Sequence, residues 1–181
     1  MYPPSMDVND FLVIDIETSG GSMQNIPEGF NLLVTGLRHG SFSAMYTSER
    51  ESLAALADQL ETFEGPLVTF NGARFDLPIL DRCFNEALGR ELVVAHHYDL
   101  MAEIVKVAGH RISLDNLCLN TLGKEKLKWD HQRNAEVWAS EPQLLIDYNK
   151  VDLDLTYEIF MRVLQGEPLF LGDSTVTLPQ P

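Results

Sequence analysis

The run FLVIDIETSG, residues 11–20, reads as a buried strand interrupted by two acids. Phe11, Leu12, Val13, Ile14 and Ile16 form the nearly continuous apolar run of a strand covered on both faces, as central strands of α/β sheets are. Asp15 and Glu17 lie two apart, so they share one face while Ile14 and Ile16 point to the other. Carboxylates this close repel unless a proton or a cation sits between them, and such hard oxygen ligands suit Mg²⁺ or Mn²⁺. The plainer alternative is a strand that ends at the surface with both acids solvated.

Outward from this strand, strand and helix signals alternate. NLLVTGLRHGSFSAMYT predicts a hairpin turning at His39-Gly40, and RESLAALADQLETFEG a helix, with Leu53, Leu56, Ala57 and Leu60 at helical spacing and Gly65 as its stop. PLVTF predicts a short strand, DLPILDRCFNEALG a helix ending near Gly89, and ELVVAHHYDL a strand or extended segment. AEIVKVAG and SLDNLCLNTLG are helical, and a long last helix runs from about Ser140 to Gln165, with Ser140-Glu141-Pro142-Gln143 as a capping box. The tail GEPLFLGDSTVTLPQP, rich in Pro and Gly, is expected to be irregular, packed through Leu169 and Phe170. An early hairpin followed by strand-helix-strand steps implies an α/β domain with a mixed sheet, antiparallel at first and then parallel.

The 181 residues fit one domain, 1–181, with its motif-bearing core at about 10–165 and the tail at 166–181. No segment approaches the roughly 18 apolar residues of a membrane span. The start MYPPSMDVND lacks a secretory signal, and Cys83 and Cys118 make neither a disulfide framework nor a zinc pattern, so a cytoplasmic protein is expected. A net charge of −14 argues against a broad nucleic-acid-coating surface. A narrow cleft that holds divalent cations can still receive a phosphate.

Two more acids stand out. Asp76 follows the strand of residues 66–70 and opens a helix, where it could serve simply as an N-cap. Asp152 lies four residues after Tyr148 on the last helix, on a stripe with Leu145, Leu155, Thr156 and Ile159 that should face the core, where a carboxylate needs a partner. In order and spacing, DIE at 15–17, NGARFDLPIL at 71–80 and YNKVD at 148–152 resemble the three exonuclease motifs of the DEDD superfamily. YDLMAEIVK and ISLDNLCLNTLGKEKLKW resemble the segment between the second and third motifs in proofreading exonuclease domains of family B DNA polymerases and their stand-alone relatives. The position used by the histidine branch holds Asp147, whereas Tyr148 stands where the tyrosine branch has its tyrosine.

The resemblance implies a ribonuclease H-like mixed sheet flanked by helices, and hydrolysis of nucleotides from single-stranded DNA or RNA 3′ ends. Carried over, Asp15, Glu17, Asp76 and Asp152 hold two divalent cations, Mg²⁺ or Mn²⁺, and Tyr148 orients the attacking water. Two such ions about 3.5–4 Å apart stabilise both the attacking and the leaving oxygen of an in-line displacement. Thr18, Asn71 and Phe75 are implied to meet the terminal nucleotide, although Phe75 reads equally as core and Asn71 as a turn residue. Asp99 reads as a supporting acid or a strand-end cap. Arg74, Lys150 and the cluster Lys124, Lys126, Lys128 and Trp129 could guide and stack the strand; for the cluster a solvated loop is the favoured reading. His96 and His97, adjacent on a strand, point oppositely and make no metal pincer. Asp147 and Asp154 read as exposed helix charge. The competing functions are an RNA-specific 3′ trimming enzyme and a non-catalytic nucleic-acid-binding module of the same fold.

Overall fold

A computed structural model describes residues 10–181; residues 1–9, most of the segment read for a secretory signal, lie outside the described residues. Strand β1, Leu12–Gly20, lies at the centre of a five-stranded sheet. It pairs antiparallel with β2, Phe30–His39, which turns at Gly40-Ser41 into antiparallel β3, Phe42–Thr47. On its other side β1 runs parallel to β4, Pro66–Thr69, which runs parallel to β5, His96–Asp99. The order β3-β2-β1-β4-β5 is therefore the expected mixed sheet, antiparallel on one half and parallel on the other.

Six α-helices flank it among the described residues: α1, Arg50–Thr62; α2, Asp76–Leu88; α3, Leu100–Ala108; α4, Leu114–Leu122; α5, Asn134–Ser140; and α6, Pro142–Leu164. The alternation along β1 divides the core. Leu12, Ile14 and Ile16 pack with Leu53, Leu56 and Leu60 of α1 and Ile79, Leu80 and Phe84 of α2. Phe11 and Val13 pack with Ile104, Leu117, Leu153, Ile159 and Phe160 of α3, α4 and α6. No helix among the described residues is long and apolar enough to cross a membrane.

Two features bring α6 onto the acidic end of β1. The β1–β2 register shifts between Glu17 and Thr18, a bulge of the kind that re-aims side chains beside functional sites. Gly36, the β2 partner of Asp15, leaves room for α6: a Cβ there would overlap Asn149 Oδ1 and lie 2.6 Å from Leu153 Cδ1.

One local expectation is corrected and two are narrowed. Ser140 and Gln143 form no capping box, because Ser140 is the last residue of α5 and its hydroxyl donates to the Glu136 carbonyl of its own helix at 2.9 Å. Gln143 instead donates to Asp147 at 2.7 Å, while Pro142 does open α6. Within ELVVAHHYDL only His96–Asp99 is strand. Residues 166–181 are irregular apart from a small hairpin, β6 at Leu169–Phe170 and β7 at Thr175–Val176, whose Leu169 is fully buried while Phe170 is 38 % exposed.

Candidate active site

The bulged end of β1 presents Asp15 and Glu17 to α6, where Tyr148 and Asp152 lie on one buried face with Leu145, Leu155, Thr156 and Ile159. One carboxylate oxygen each from Asp15, Glu17 and Asp152 can be chosen so that all lie within 4.8 Å of one another. Asp76 approaches from the start of α2. It is not the N-cap, which is Phe75; its Oδ1 instead accepts from the Ile16 N–H at 3.2 Å, tying α2 to β1 between the two strand acids. All four acids line one cleft of about 780 Å³.

Amides orient these acids. Asn149 donates to Asp15 Oδ2 at 2.7 Å, and Asn134 donates to Glu17 Oε2 at 3.1 Å and to the Thr18 carbonyl at 2.9 Å. Trp129 Nε1 donates to Asn134 Oδ1 at 2.7 Å, so that amide is held at both ends. His131 Nδ1 lies 3.8 Å from Glu17 Oε2.

The expected solvated loop at 124–129 is corrected. Lys126 pairs with Asp152, its side chain only 13 % exposed, and its Nζ lies 4.7 Å from the centre of the Tyr148 ring. Trp129 stacks on Tyr148, ring centres 4.6 Å apart and planes at 24°, so one of its two faces is already occupied. Lys124 pairs with Glu158 at 2.6 Å, and Lys128 alone of the three lysines fits the solvated reading. The cause is the buried acid: Asp152, on the core-facing side of α6, needs a counter-charge, and the loop supplies it. Tyr148, beneath Trp129 and Lys126, does not line the cleft itself.

The electrostatics describe a site short of positive charge. Burial, and then the neighbouring charges of Asp152, Asp76 and Glu17, hold the Asp15 carboxyl well above its ordinary range. Burial pushes Asp76 up to about 7, against the opposing N–H groups of Asp76 itself and Ile16. Asp152 is pushed up to about 6, again chiefly by burial, with Lys126 opposing. Tyr148 is raised by burial and by Asp152. Asp152 Oδ1 is buried without a hydrogen-bond partner. An all-oxygen donor set, with elevated proton affinities at Asp15, Asp76 and Asp152 and a buried Asp152 oxygen left unpartnered, fits a hard divalent cation.

Thr18, Asn71 and Phe75 all line the cleft. Asn71 sits in the left-handed region, φ 69°, which asparagine tolerates better than most residues. Phe75 packs edge-on against Phe30 at 5.1 Å, half core and half cleft wall. Asp99 fills both roles considered for it: it caps α3 through Met101 N–H at 3.0 Å and anchors the 71–75 turn through the N–H groups of Asn71 and Ala73 at 2.8 and 3.0 Å. His97 bonds Thr69 Oγ1 at 2.9 Å, away from the acids. Asp147 and Asp154 are exposed and pair with Lys150 and Arg38. Arg74 is exposed within that turn. Asn134, Asn149 and His131 were not foreseen. Asn149 lies inside YNKVD and could have been found from its place beside Tyr148, whereas nothing local in HQRNAEVW marks Asn134.

A mixed five-stranded sheet with acids gathered at one end of its central strand defines a ribonuclease H-like protein. The chain belongs to the RNase_H superfamily, which matches residues 12–141. Among solved structures it is similar to the family B DNA polymerase from the hyperthermophilic archaeon Pyrobaculum calidifontis, with a TM-score of 0.64 and 16 % identity. That likeness covers 85 % of this chain and 24 % of the polymerase, so the chain spans about a quarter of the protein it resembles in fold. No curated protein matches the chain. Superfamily membership and the acidic cluster together suggest a nuclease that binds metal.

Proposed function

We propose that this chain, as a single domain, is a two-metal-dependent 3′–5′ exonuclease of the tyrosine branch of the DEDD superfamily, acting on single-stranded DNA or RNA in the cytoplasm. The observation that carries the reading is the convergence of Asp15, Glu17 and Asp152 within 4.8 Å, with Asp152 Oδ1 buried and unpartnered. Asp76 borders the same cleft, and Tyr148 lies one turn from Asp152 on α6.

Asp15, Glu17, Asp76 and Asp152 would hold Mg²⁺ or Mn²⁺, which when bound polarise the scissile phosphate and lower the pKa of water. Asn149 and Asn134 fix the carboxylates of Asp15 and Glu17 so that their oxygens face one another. Tyr148, raised further above its already high pKa, stays protonated and is unsuited to act as a base. Its role is to orient the attacking water by hydrogen bonding from its hydroxyl. Thr18, Asn71 and Phe75 receive the terminal nucleotide along the cleft wall.

The test is digestion of 5′-labelled single-stranded DNA and RNA with Mn²⁺, Mg²⁺ or chelator, beside Asp152→Ala. A metal-dependent ladder shortening from the 3′ end, lost in the variant, is expected. A ladder on RNA alone would favour the RNA-trimming reading. Binding without cleavage under every condition would favour the non-catalytic module.

A further inference from the structure

Beside the cleft stands Arg111, in the link between α3 and α4. Its Nη2 donates to Asn71 Oδ1 at 2.5 Å across forty residues of sequence, and its side chain is otherwise exposed. Asn71 lines the cleft, as does Ser113, two residues beyond Arg111. The backbone of Asn71 is already fixed, its N–H given to Asp99 and its carbonyl accepting from Arg74 and Phe75. The Arg111 bond therefore decides where the Asn71 amide points. A guanidinium has five N–H donors, and this bond uses one.

The other basic groups at the acids are committed. Lys126 is paired with Asp152, and His131 faces Glu17. On a chain of net charge −14, an exposed cation beside the cleft mouth is where an incoming phosphodiester finds attraction. We propose that Arg111 is a substrate-positioning residue that fixes the Asn71 amide with one N–H and takes a backbone phosphate of a single-stranded nucleic acid with the others. This rests on the nuclease reading for its substrate, but capture and hydrolysis separate in the test.

Binding of a 5′-fluorescein single-stranded oligonucleotide is followed by anisotropy in chelator, over a range of salt concentrations, for the wild type, Arg111→Ala, Arg111→Lys, Asn71→Ala and the double alanine variant. Arg111→Ala should weaken binding about tenfold, as expected for one lost charge-assisted contact. The slope of log K against log[salt] should fall in magnitude by about 0.7, one phosphate contact on a single strand. Arg111→Lys should restore that slope, which a purely structural arginine would not do. Asn71→Ala should cost less in the Arg111→Ala background than alone. With Mn²⁺ added, Arg111→Ala should raise KM while leaving kcat within about threefold of the wild type. Equal affinity and salt slope for the wild type and Arg111→Ala, or no binding by either, overturns the proposal. If the wild type binds with the predicted arginine dependence yet never cleaves, the exonuclease reading fails while the Arg111 assignment stands.

Discussion

Asn134 shows how much of this site rests on residues other than acids. Its amide meets Glu17, the Thr18 carbonyl and the Trp129 indole, and its side chain is buried. Asn134→Ala strands three partners, of which Glu17 and the Thr18 carbonyl are buried, and each unmet buried polar group costs about 1–3 kcal/mol. We expect a fall of at least ~2 kcal/mol in unfolding free energy by urea titration, and metal affinity about 10–100-fold weaker. Full retention of both would show that Glu17 is positioned by other means. The acids were legible in the sequence because same-face spacing on a strand and four-residue spacing on a helix follow from backbone geometry. Asn134 and Lys126 were not legible in that way. Their contacts join the 123–134 segment to β1 and α6, and no local period records a contact 117 residues apart.

At the level of elements, the site depends on how closely α6 lies on β1 and β2. Gly36 permits that approach, and a methyl there would collide with Asn149, the residue that holds Asp15. Gly36→Ala should therefore destabilise the chain by about 1–3 kcal/mol, the usual range for overpacking, and reduce nuclease activity more than its stability loss explains. Paired thermal melts and initial rates at a temperature where the variant remains folded check this; unchanged activity would show that α6 adjusts without disturbing Asp15. Strands and helices with clear periodicity, from β1 through α4, were readable because burial imposes the period. The capping box was a misreading of a helix end: Ser140 closes α5, and a serine hydroxyl bonds back to a carbonyl of its own helix as readily as it caps the next. α5 itself was overlooked, being only seven residues long and having only two buried positions, too few for a pattern.

For the whole molecule, a net charge of −14 and a cleft crowded with carboxylates make the fold sensitive to protons and cations. Asp76 and Asp152, pushed up to about 7 and about 6, bind protons more tightly folded than unfolded. Between about pH 4 and pH 7 the folded state thus carries extra protons, so the metal-free protein loses stability as pH rises through that window. Melting temperatures in chelator should fall from pH 5 to pH 8, and the fall should be shallower in Asp76→Asn; a rise over the same interval would contradict the burial of these acids among like charges. The mixed sheet was readable in full outline, since a hairpin followed by strand-helix-strand steps admits few arrangements. The charge balance inside the cleft was not, because it depends on which lysine folds inward. The proposal that four carboxylates form a metal centre is tested most directly by Mn²⁺ titration followed by electron paramagnetic resonance, in the presence of a nucleoside 5′-monophosphate, for the wild type and Asp152→Ala. Two bound ions per wild-type chain, with at least one lost in the variant, is the predicted result; no saturable binding, or identical titrations for both proteins, would contradict it.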